Sequence, residues 1–285
     1  MYTCKFISTD GDKFCFGYDY GTLFDLDPMG ELDVDVNTSQ GFLQTGTAVE
    51  SETVEGVSRE LSGVFVSDQS EALAQEMMDI FAPGTHGQLY FNDTYYCDCV
   101  VEKTPYILLT LDNRRRSFDL MLYCPYPYWL SASETSYGIG GYTAAFELPV
   151  CYDTHVFGER NVAVYTDCNN IGSVERPLEA TFTSMSSTTN YGLENLTTDE
   201  AIQFNDTLTS GEKMHVYWED GKLRIEKTVG EETENDFSVL DEDSDFFTLA
   251  SGKNILKQFA DEGADQLVVV VKVTPAVVGV VAEDV

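Results

Sequence analysis

The chain has 285 residues, of which 43% are apolar and 12% aromatic, enough for one large core or two ordinary ones and too many for a disordered acidic chain. With 16 Lys and Arg against 49 Asp and Glu, the net charge of −33 excludes a basic nucleic-acid-binding surface. It fits general solubility, or a wall past which a polyanion slides without sticking.

The N-terminal residues Met1 to Lys5 are not followed by the apolar core of a signal peptide, and folding in a cytoplasm is expected. Residues 1–27 read as short strands: Tyr2, Cys4 and Phe6 alternate with more polar neighbours, and Asp10-Gly11-Asp12 marks a turn before Lys13 to Phe16. Leu32, Val34 and Val36 alternate with Asp33, Asp35 and Asn37, as on a half-exposed strand. The stretch from Phe42 to Glu52 is polar and glycine-spaced. A long hairpin or arm is therefore expected at about 31–55, with too few apolar residues to stand without a partner. Val57 to Val66 is strand-like. A helix is expected over Asp68 to Ala82, where Asp68 and Glu71 form a D-x-x-E capping box and Leu73, Met77, Ile80 and Phe81 share one face. Pro83-Gly84 stops it.

Strands follow at Gln88 to Asn92, Tyr95 to Lys103 and Ser117 to Tyr123, and the region closes on Cys124-Pro125-Tyr126-Pro127-Tyr128-Trp129. The Arg114-Arg115-Arg116 run, in so acidic a chain, reads as a solvated turn or a contact to an acidic neighbour. Small, polar and glycine residues over 131–141 form the best linker in the chain. Beyond it no long helix is expected. Short strands recur, including Leu178 to Phe182, Met214 to Trp218, Leu223 to Glu226 and Gln266 to Val273. Asp220-Gly221 is the strongest hairpin signal, and the pattern argues for a β-sandwich. The longest apolar run, Leu267 to Val271, is too short to span a bilayer.

The search for chemistry is mostly negative. The seven cysteines lack paired C-x-x-C spacing and are expected to be free thiols. The histidines, His86, His155 and His215, are far apart, and no H-E-x-x-H, G-x-S-x-G, P-loop or G-x-G-x-x-G motif occurs. Carboxylate pairs are too abundant for any one of them to mark a hydrolase. Asp241 to Asp245 alternates carboxylates like the start of a calcium loop, but Phe246 stands where glycine is needed, so a solvated turn is expected. Tyr217 and Trp218 are the candidate sugar-stacking pair; half core and half rim is the plainer reading.

One ordered set of motifs adds to this. Phe81-x-Pro83-Gly84-x-x-Gly87-x-Leu89-Tyr90-Phe91, Arg116-x-Phe118-x-Leu120-x-Leu122 and Cys124-Pro125-x-Pro127-Tyr128-Trp129 are followed by Asn169-Asn170-x-Gly172, Pro177-Leu178-x-Ala180-x-Phe182, Asp245-Phe246-Phe247-x-Leu249 and Gly252-x-Asn254. The set resembles the distal tail proteins of bacteriophages with long non-contractile tails, over nearly the whole chain. The resemblance implies a mainly β fold in two parts. Residues 1–132 would be a β-rich, tail-tube-like domain with one helix, and residues 133–285 a galectin-like β-sandwich. It implies a homo-oligomer, usually a hexameric ring around a channel, with the 31–55 arm as the belt that reaches the neighbouring copy. Leu32, Val34, Val36, Phe42 and Leu43 then become the expected subunit-interface residues.

The implied function is structural: a virion protein at the distal end of the tail, assembled in the host cytoplasm. It would join the tail tube to the tip or baseplate and carry host-adsorption proteins. Tail tube protein, tail-tip hub protein and a receptor-binding protein are the implied partners. DNA passes through the channel without specific binding, and no membrane insertion, catalysis, metal or cofactor is implied. The alternative is a carbohydrate- or receptor-binding tail protein acting through the C-terminal sandwich.

Overall fold

Alternation of apolar and polar residues makes strands along most of the chain. A computed structural model describes them over residues 2–27, 29, 31–43, 45–109, 116–140, 142–144, 158–160, 164–219 and 221–281. The described residues divide into two compact units, one of Met1–Ser133 with Ala276–Val285, the other of Glu134–Pro275.

In the first unit, β1 (Cys4–Ser8) and β2 (Lys13–Phe16) form a hairpin, turned at Asp10-Gly11-Asp12 by Gly11 at φ +94°. There follow β3 (Thr22–Asp27), β4 (Val34–Ser39), β5 (Ala48–Val54), β6 (Val57–Phe65), the helix α1 (Ser70–Ile80), β7 (His86–Phe91), β8 (Tyr95–Leu109), β9 (Arg116–Cys124) and β10 (Trp129–Ser131). The main sheet runs β2-β1-β7-β8-β9-β6-β3, with every neighbouring pair antiparallel. One face of it is apolar. Phe6, Leu61, Phe65, Leu89, Phe91, Leu120 and Leu122 are buried there together with Met77 and Phe81 from the helix and its end.

The helix is shorter than its sequence signal at both ends. No side-chain cap bond forms at its start; Gln69 holds the N-cap position, and its N–H donates to Ser67 Oγ at 3.1 Å. The expected Asp68/Glu71 capping box is therefore not made, because the first helical residue is Ser70 and Asp68 stands one residue too early. The Pro83-Gly84 stop behaves as expected: Gly84 takes φ +81° and its N–H donates to the Val101 carbonyl at 2.9 Å. Strand β8 outruns its expected end at Lys103 by six residues. Its register with β9 shifts on both sides of Lys103, and Pro105 lies in the second irregularity, where no ladder donor is required. Arg114 and Arg115 lie outside the described residues; Arg116 opens β9 and meets Glu71 at 3.5 Å, a contact to an acidic neighbour.

The second unit contains β11 (Thr135–Ile139), β12 (Tyr142–Ala144), β13 (Gly158–Arg160), β14 (Tyr165–Asn170), β15 (Arg176–Pro177), β16 (Glu179–Ser184), β17 (Ser187–Asn195), β18 (Glu200–Thr209), β19 (Glu212–Glu219), β20 (Lys222–Val229), β21 (Glu232–Asn235), β22 (Thr248–Leu249), β23 (Gly252–Glu262) and β24 (Leu267–Val273). A six-stranded sheet, β11-β24-β16-β19-β20-β21, and a four-stranded sheet, β14-β23-β17-β18, share one core. Leu267, Val269, Val271 and Val273 alternate into that core, and Phe182, Tyr191 and Phe204 stack there with centroids 5.3 to 5.8 Å apart. The β19–β20 hairpin pairs Glu219 with Lys222 across Gly221 at φ +70°; Asp220 itself lies outside the described residues, as do 145–157 of the 133–160 segment.

Buried asparagines hold the loops at one end. Asn254 Nδ2 donates to the carbonyls of Ala250 and Gly252 while its Oδ1 accepts from Ala250 N–H. Asn170 Nδ2 donates to the Val174 and Leu249 carbonyls. The Asn169-Asn170-x-Gly172 and Gly252-x-Asn254 motifs are thus loop staples, their buried amides satisfied by backbone partners.

The last strand, β25 (Ala276–Val277), departs from the sequence expectation. Reading the chain in order places it in the second module. It pairs instead with β10, Trp129 with Val277 and Leu130 with Ala276, and Val280 is buried in the first unit's core. A two-residue strand has no periodicity of its own, so only its partner reveals its place.

Candidate functional site

The described residues present several distinctive surfaces. The arm is the first surface. Strands β4 and β5 pair with each other, Val34 opposite Val54, Val36 opposite Glu52 and Asn37 opposite Ser51, with a register shift after Asn37. Among the described residues they join no other sheet. Alternation places Val34, Val36 and Val54, with Glu52 among them, on one face and Asp35, Asn37, Ser51 and Thr53 on the other, where Asn37 Nδ2 donates to Ser51 Oγ at 3.0 Å. Neither face is covered. Val34, Val36 and Val49 are exposed, while Leu32, at the base, is half-buried. At the turn, Phe42 is 97% exposed and Leu43 90%, and Leu43 takes φ +66°, a left-handed conformation uncommon for leucine. An isolated two-stranded hairpin is marginally stable in water. Its apolar face and its Phe42-Leu43 tip are what a partner surface would bury. The five residues expected at a subunit interface therefore lie on this one projecting element.

The second surface is the outer face of the main sheet. The core-facing residues of β3, β6 and β9 are Leu26, Leu61, Leu120 and Leu122, and the residues between them face away. Asp25 lies beside Ser62, which lies beside Asp119. Asp27 lies beside Glu60, which lies beside Met121. Asp25, Asp27, Glu60 and Asp119 are all exposed. Ser58 Oγ donates to Glu102 Oε2 at 2.7 Å, which extends the acidic band onto β8. Like charges directly across a ladder, as at Asp27 and Glu60, destabilise a sheet by about 0.2–1 kcal/mol. The fold carries that cost on a solvent-facing surface, where high dielectric keeps it small. At the far edge of the same sheet the balance changes: Lys5 is ion-paired with Asp93 and sits 4.7 Å over the Tyr90 ring, which stacks on Tyr96 at 5.4 Å.

The second unit's outer face carries His215, Glu179, Lys272 and Tyr217. His215 Nε2 lies 3.7 Å from Glu179 Oε1, Lys272 Nζ lies 3.2 Å from Glu134 and 3.7 Å from Glu179, and Tyr217 stacks on His215 while its hydroxyl donates to Glu226 at 3.0 Å. The His215 ring, and after it Lys272, hold the Glu179 carboxyl below its ordinary value against the opposing effect of burial. A depressed carboxylate pKa contributes stability that is present above the unfolded value, near 4.5, and is lost as pH falls through the folded one. Glu179→Gln is therefore expected to flatten the second unit's loss of stability below that value. Urea unfolding at neutral and acid pH checks this, and an unchanged acid slope would refute it.

Tyr217 and Trp218 do not make a joint platform. Consecutive residues on a strand face opposite ways, and Tyr217 turns out toward His215 while Trp218 follows the parity of the buried Met214 and Val216. The Asp241–Asp245 run is occupied internally. Asp241 accepts from Asn205 Nδ2 and from the Asp243 N–H, which lowers its pKa, and Asp245 exchanges bonds with the Ala201 backbone. His86 sits at the start of β7, and His155 lies outside the described residues. Among the described residues no three His, Cys, Asp or Glu side chains are grouped to hold a metal. Among the described residues no helix is long and apolar enough to cross a membrane.

The sequence reading missed one buried feature. Arg59, fully buried on β6, donates from Nη2 to the Pro127 carbonyl at 2.7 Å and lies 4.6 Å from the Trp129 ring. Trp129 Nε1 donates to the Met29 carbonyl at 2.7 Å. The Pro125-to-Trp129 run thus closes the first unit around a buried guanidinium. The one signal in the sequence that Arg59 points inward is its parity with Leu61 on the alternating strand.

Comparison with known proteins follows this geometry. Residues 171–274 match a family model described as the siphovirus-type tail component, C-terminal domain, SPP1 Dit type. The crystal structure of the SPP1 Dit protein, described as a paradigm of hub adsorption apparatus in phages that infect Gram-positive bacteria, is similar over 97% of this chain and 99% of its own, with a TM-score of 0.65 and 13% identity. A chain of the phage P2 baseplate in its activated conformation with Ca is more distant, at a TM-score of 0.49 and 13% identity over 95% of this chain and 98% of its own. A search of curated protein sequences returned no match. Residues 171–274 thus match the siphovirus-type tail component C-terminal domain, and the chain shares the fold of the SPP1 Dit protein over 97% of its length.

Proposed function

We propose that this chain is the distal tail hub subunit of a long-tailed phage. Copies of it close a ring, usually hexameric in such tails, that joins the tail tube to the tip or baseplate and gives host-adsorption proteins their attachment. The observation that carries this is the family match over 171–274 in a chain with the Dit fold. The arm supports it: a two-stranded hairpin with an exposed Phe42-Leu43 tip needs a neighbouring surface, and a heterologous contact repeated around a closed ring supplies one for every copy. Leu32, Val34, Val36, Phe42 and Leu43 are the residues that the neighbour covers. The acidic outer face supports it as well. Asp25, Asp27, Glu60 and Asp119, turned toward the channel, repel passing DNA and keep it from lodging. The role is structural, with the chain's surfaces binding other tail proteins rather than transforming a substrate.

Cryo-electron microscopy of intact particles tests both halves of this reading. The expected result is a ring of these chains where the tube meets the tip, with β3, β6 and β9 presenting their acidic residues to the lumen. Density for the chain elsewhere in the particle would overturn the assignment, and a ring with that face turned outward would overturn the channel wall.

A further inference from the structure

Cysteine use in the first unit goes beyond the tail role. Cys97 on β8 and Cys124 at the end of β9 both face the core, 1% and 0% exposed. Their sulfurs are 3.6 Å apart. The register of those strands, Val100 opposite Tyr123 and Val101 opposite Leu122, sets Cys99 across from Cys124 and Cys97 on the diagonal, yet it is the Cys97 sulfur that meets Cys124. We propose that Cys97 and Cys124 are a disulfide-forming pair that a peroxide closes, tying β8 to β9 inside the first unit.

Among the described residues the geometry favours this pair over the other thiols; Cys151 lies outside them. A disulfide needs its sulfurs about 2.05 Å apart, so closure brings these two together by roughly 1.5 Å. Cys168 belongs to the second unit, and Cys15 is only partly buried on the edge strand β2. Cys99 lies two residues from Cys97 on the same face and is the nearest competitor. The electrostatics point the same way. Burial pushes the Cys4 and Cys99 thiols up, and that of Cys168 up to about 12. The Cys124 thiol is held down by its hydrogen bond with Cys97 and by the Arg59 guanidinium beside it. The same hydrogen bond pushes the Cys97 thiol up, and the Arg59 guanidinium beside Cys124 makes its sulfur the attacking one.

The Cys124 thiolate attacks one oxygen of the peroxide, the O–O bond breaks, hydroxide leaves, and Cys124 becomes a sulfenic acid. The Cys97 sulfur then attacks the sulfenic sulfur. The S–S bond forms, the S–O bond breaks, and the leaving hydroxide takes the Cys97 proton as water. The two cysteines lose two electrons in total, and the peroxide is reduced to two waters. Because both thiols are buried, the reaction waits on local opening of the β8–β9 end and is slower than oxidation of an exposed cysteine.

The test uses the full chain. It is incubated with hydrogen peroxide, alkylated in denaturant, digested and mapped by mass spectrometry without reduction. The expected map shows one new link, between the Cys97 and Cys124 peptides, with two of the seven thiols lost to alkylation. The link is expected to persist in Cys99→Ser and to be absent from Cys97→Ala and Cys124→Ala. Oxidised chain is expected to melt roughly 5 °C higher than reduced chain and to return on treatment with dithiothreitol. The wild-type map decides the matter even if an alanine variant folds poorly. Cys124 recovered as free thiol or sulfinic acid, or linked to Cys99 or Cys4, overturns the proposal.

Discussion

Phe42→Ser with Leu43→Ser is expected to leave the isolated chain folded and to prevent its copies from assembling. Both side chains are almost fully exposed, so neither contributes to the core of its own chain. Covering each one stabilises a contact by about 1.5–3 kcal/mol, so losing both weakens every arm contact by about 3–6 kcal/mol, roughly 10²- to 10⁴-fold in affinity. In a ring the same contact recurs at every interface, and closure magnifies the defect. Mass photometry measures the outcome directly: rings for the unaltered chain with its tail partners, single chains for the variant. Circular dichroism is expected to be the same for both. A variant that forms rings as well as the unaltered chain would show that the arm is not the assembly element.

The second large effect is expected inside the first unit. Trp129→Ala removes a fully buried ring that packs near Phe91, lies over Arg59 and donates to the Met29 carbonyl. The cavity alone costs about 3–5 kcal/mol. Arg59 loses a cation–π partner worth up to about 2 kcal/mol when desolvated, and the Met29 carbonyl loses its donor. These terms share residues and do not add in full. A net loss of about 5 kcal/mol, enough to unfold a domain of ordinary stability, is the expected result. Trp129→Phe keeps most of the volume and loses the N–H, so a loss of about 1–3 kcal/mol is expected. Urea unfolding followed by far-ultraviolet circular dichroism measures both losses. A first-unit transition unchanged in Trp129→Ala would show that the Arg59–Trp129 pair is not a structural centre.

Much of the strand order was legible because each strand carries its own period. The alternation at Val34 and Val36, the run from Val57, and the repeats at Met214 to Trp218 and Leu267 to Val273 each appear as strands. The Asp10-Gly11-Asp12 and Pro83-Gly84 signals were legible because glycine there takes a positive φ that other residues resist. The capping box was misleading, since S/T/D-x-x-E spacing shows that a cap is available and not that the helix begins at that residue. The arm was legible for a negative reason: between Leu32 and Glu55 there are too few apolar residues to build a core, and the segment folds as a hairpin that joins no other sheet among the described residues.

The sequence by itself determined the β class, the one amphipathic helix, the acidic character and the arm, because composition and short-range periodicity act within a few residues of each other. Only the tertiary structure decided which residues meet. It set Asp25, Asp27, Glu60 and Asp119 side by side on one sheet face, from three strands 33 to 94 residues apart, and brought the sulfurs of Cys97 and Cys124 to 3.6 Å. It returned Ala276–Val277 to Trp129-Leu130 and closed the Pro125-to-Trp129 run over a buried arginine. Strand pairing is a long-range choice, made by burial of a shared core, and no local pattern in a single strand records its neighbour.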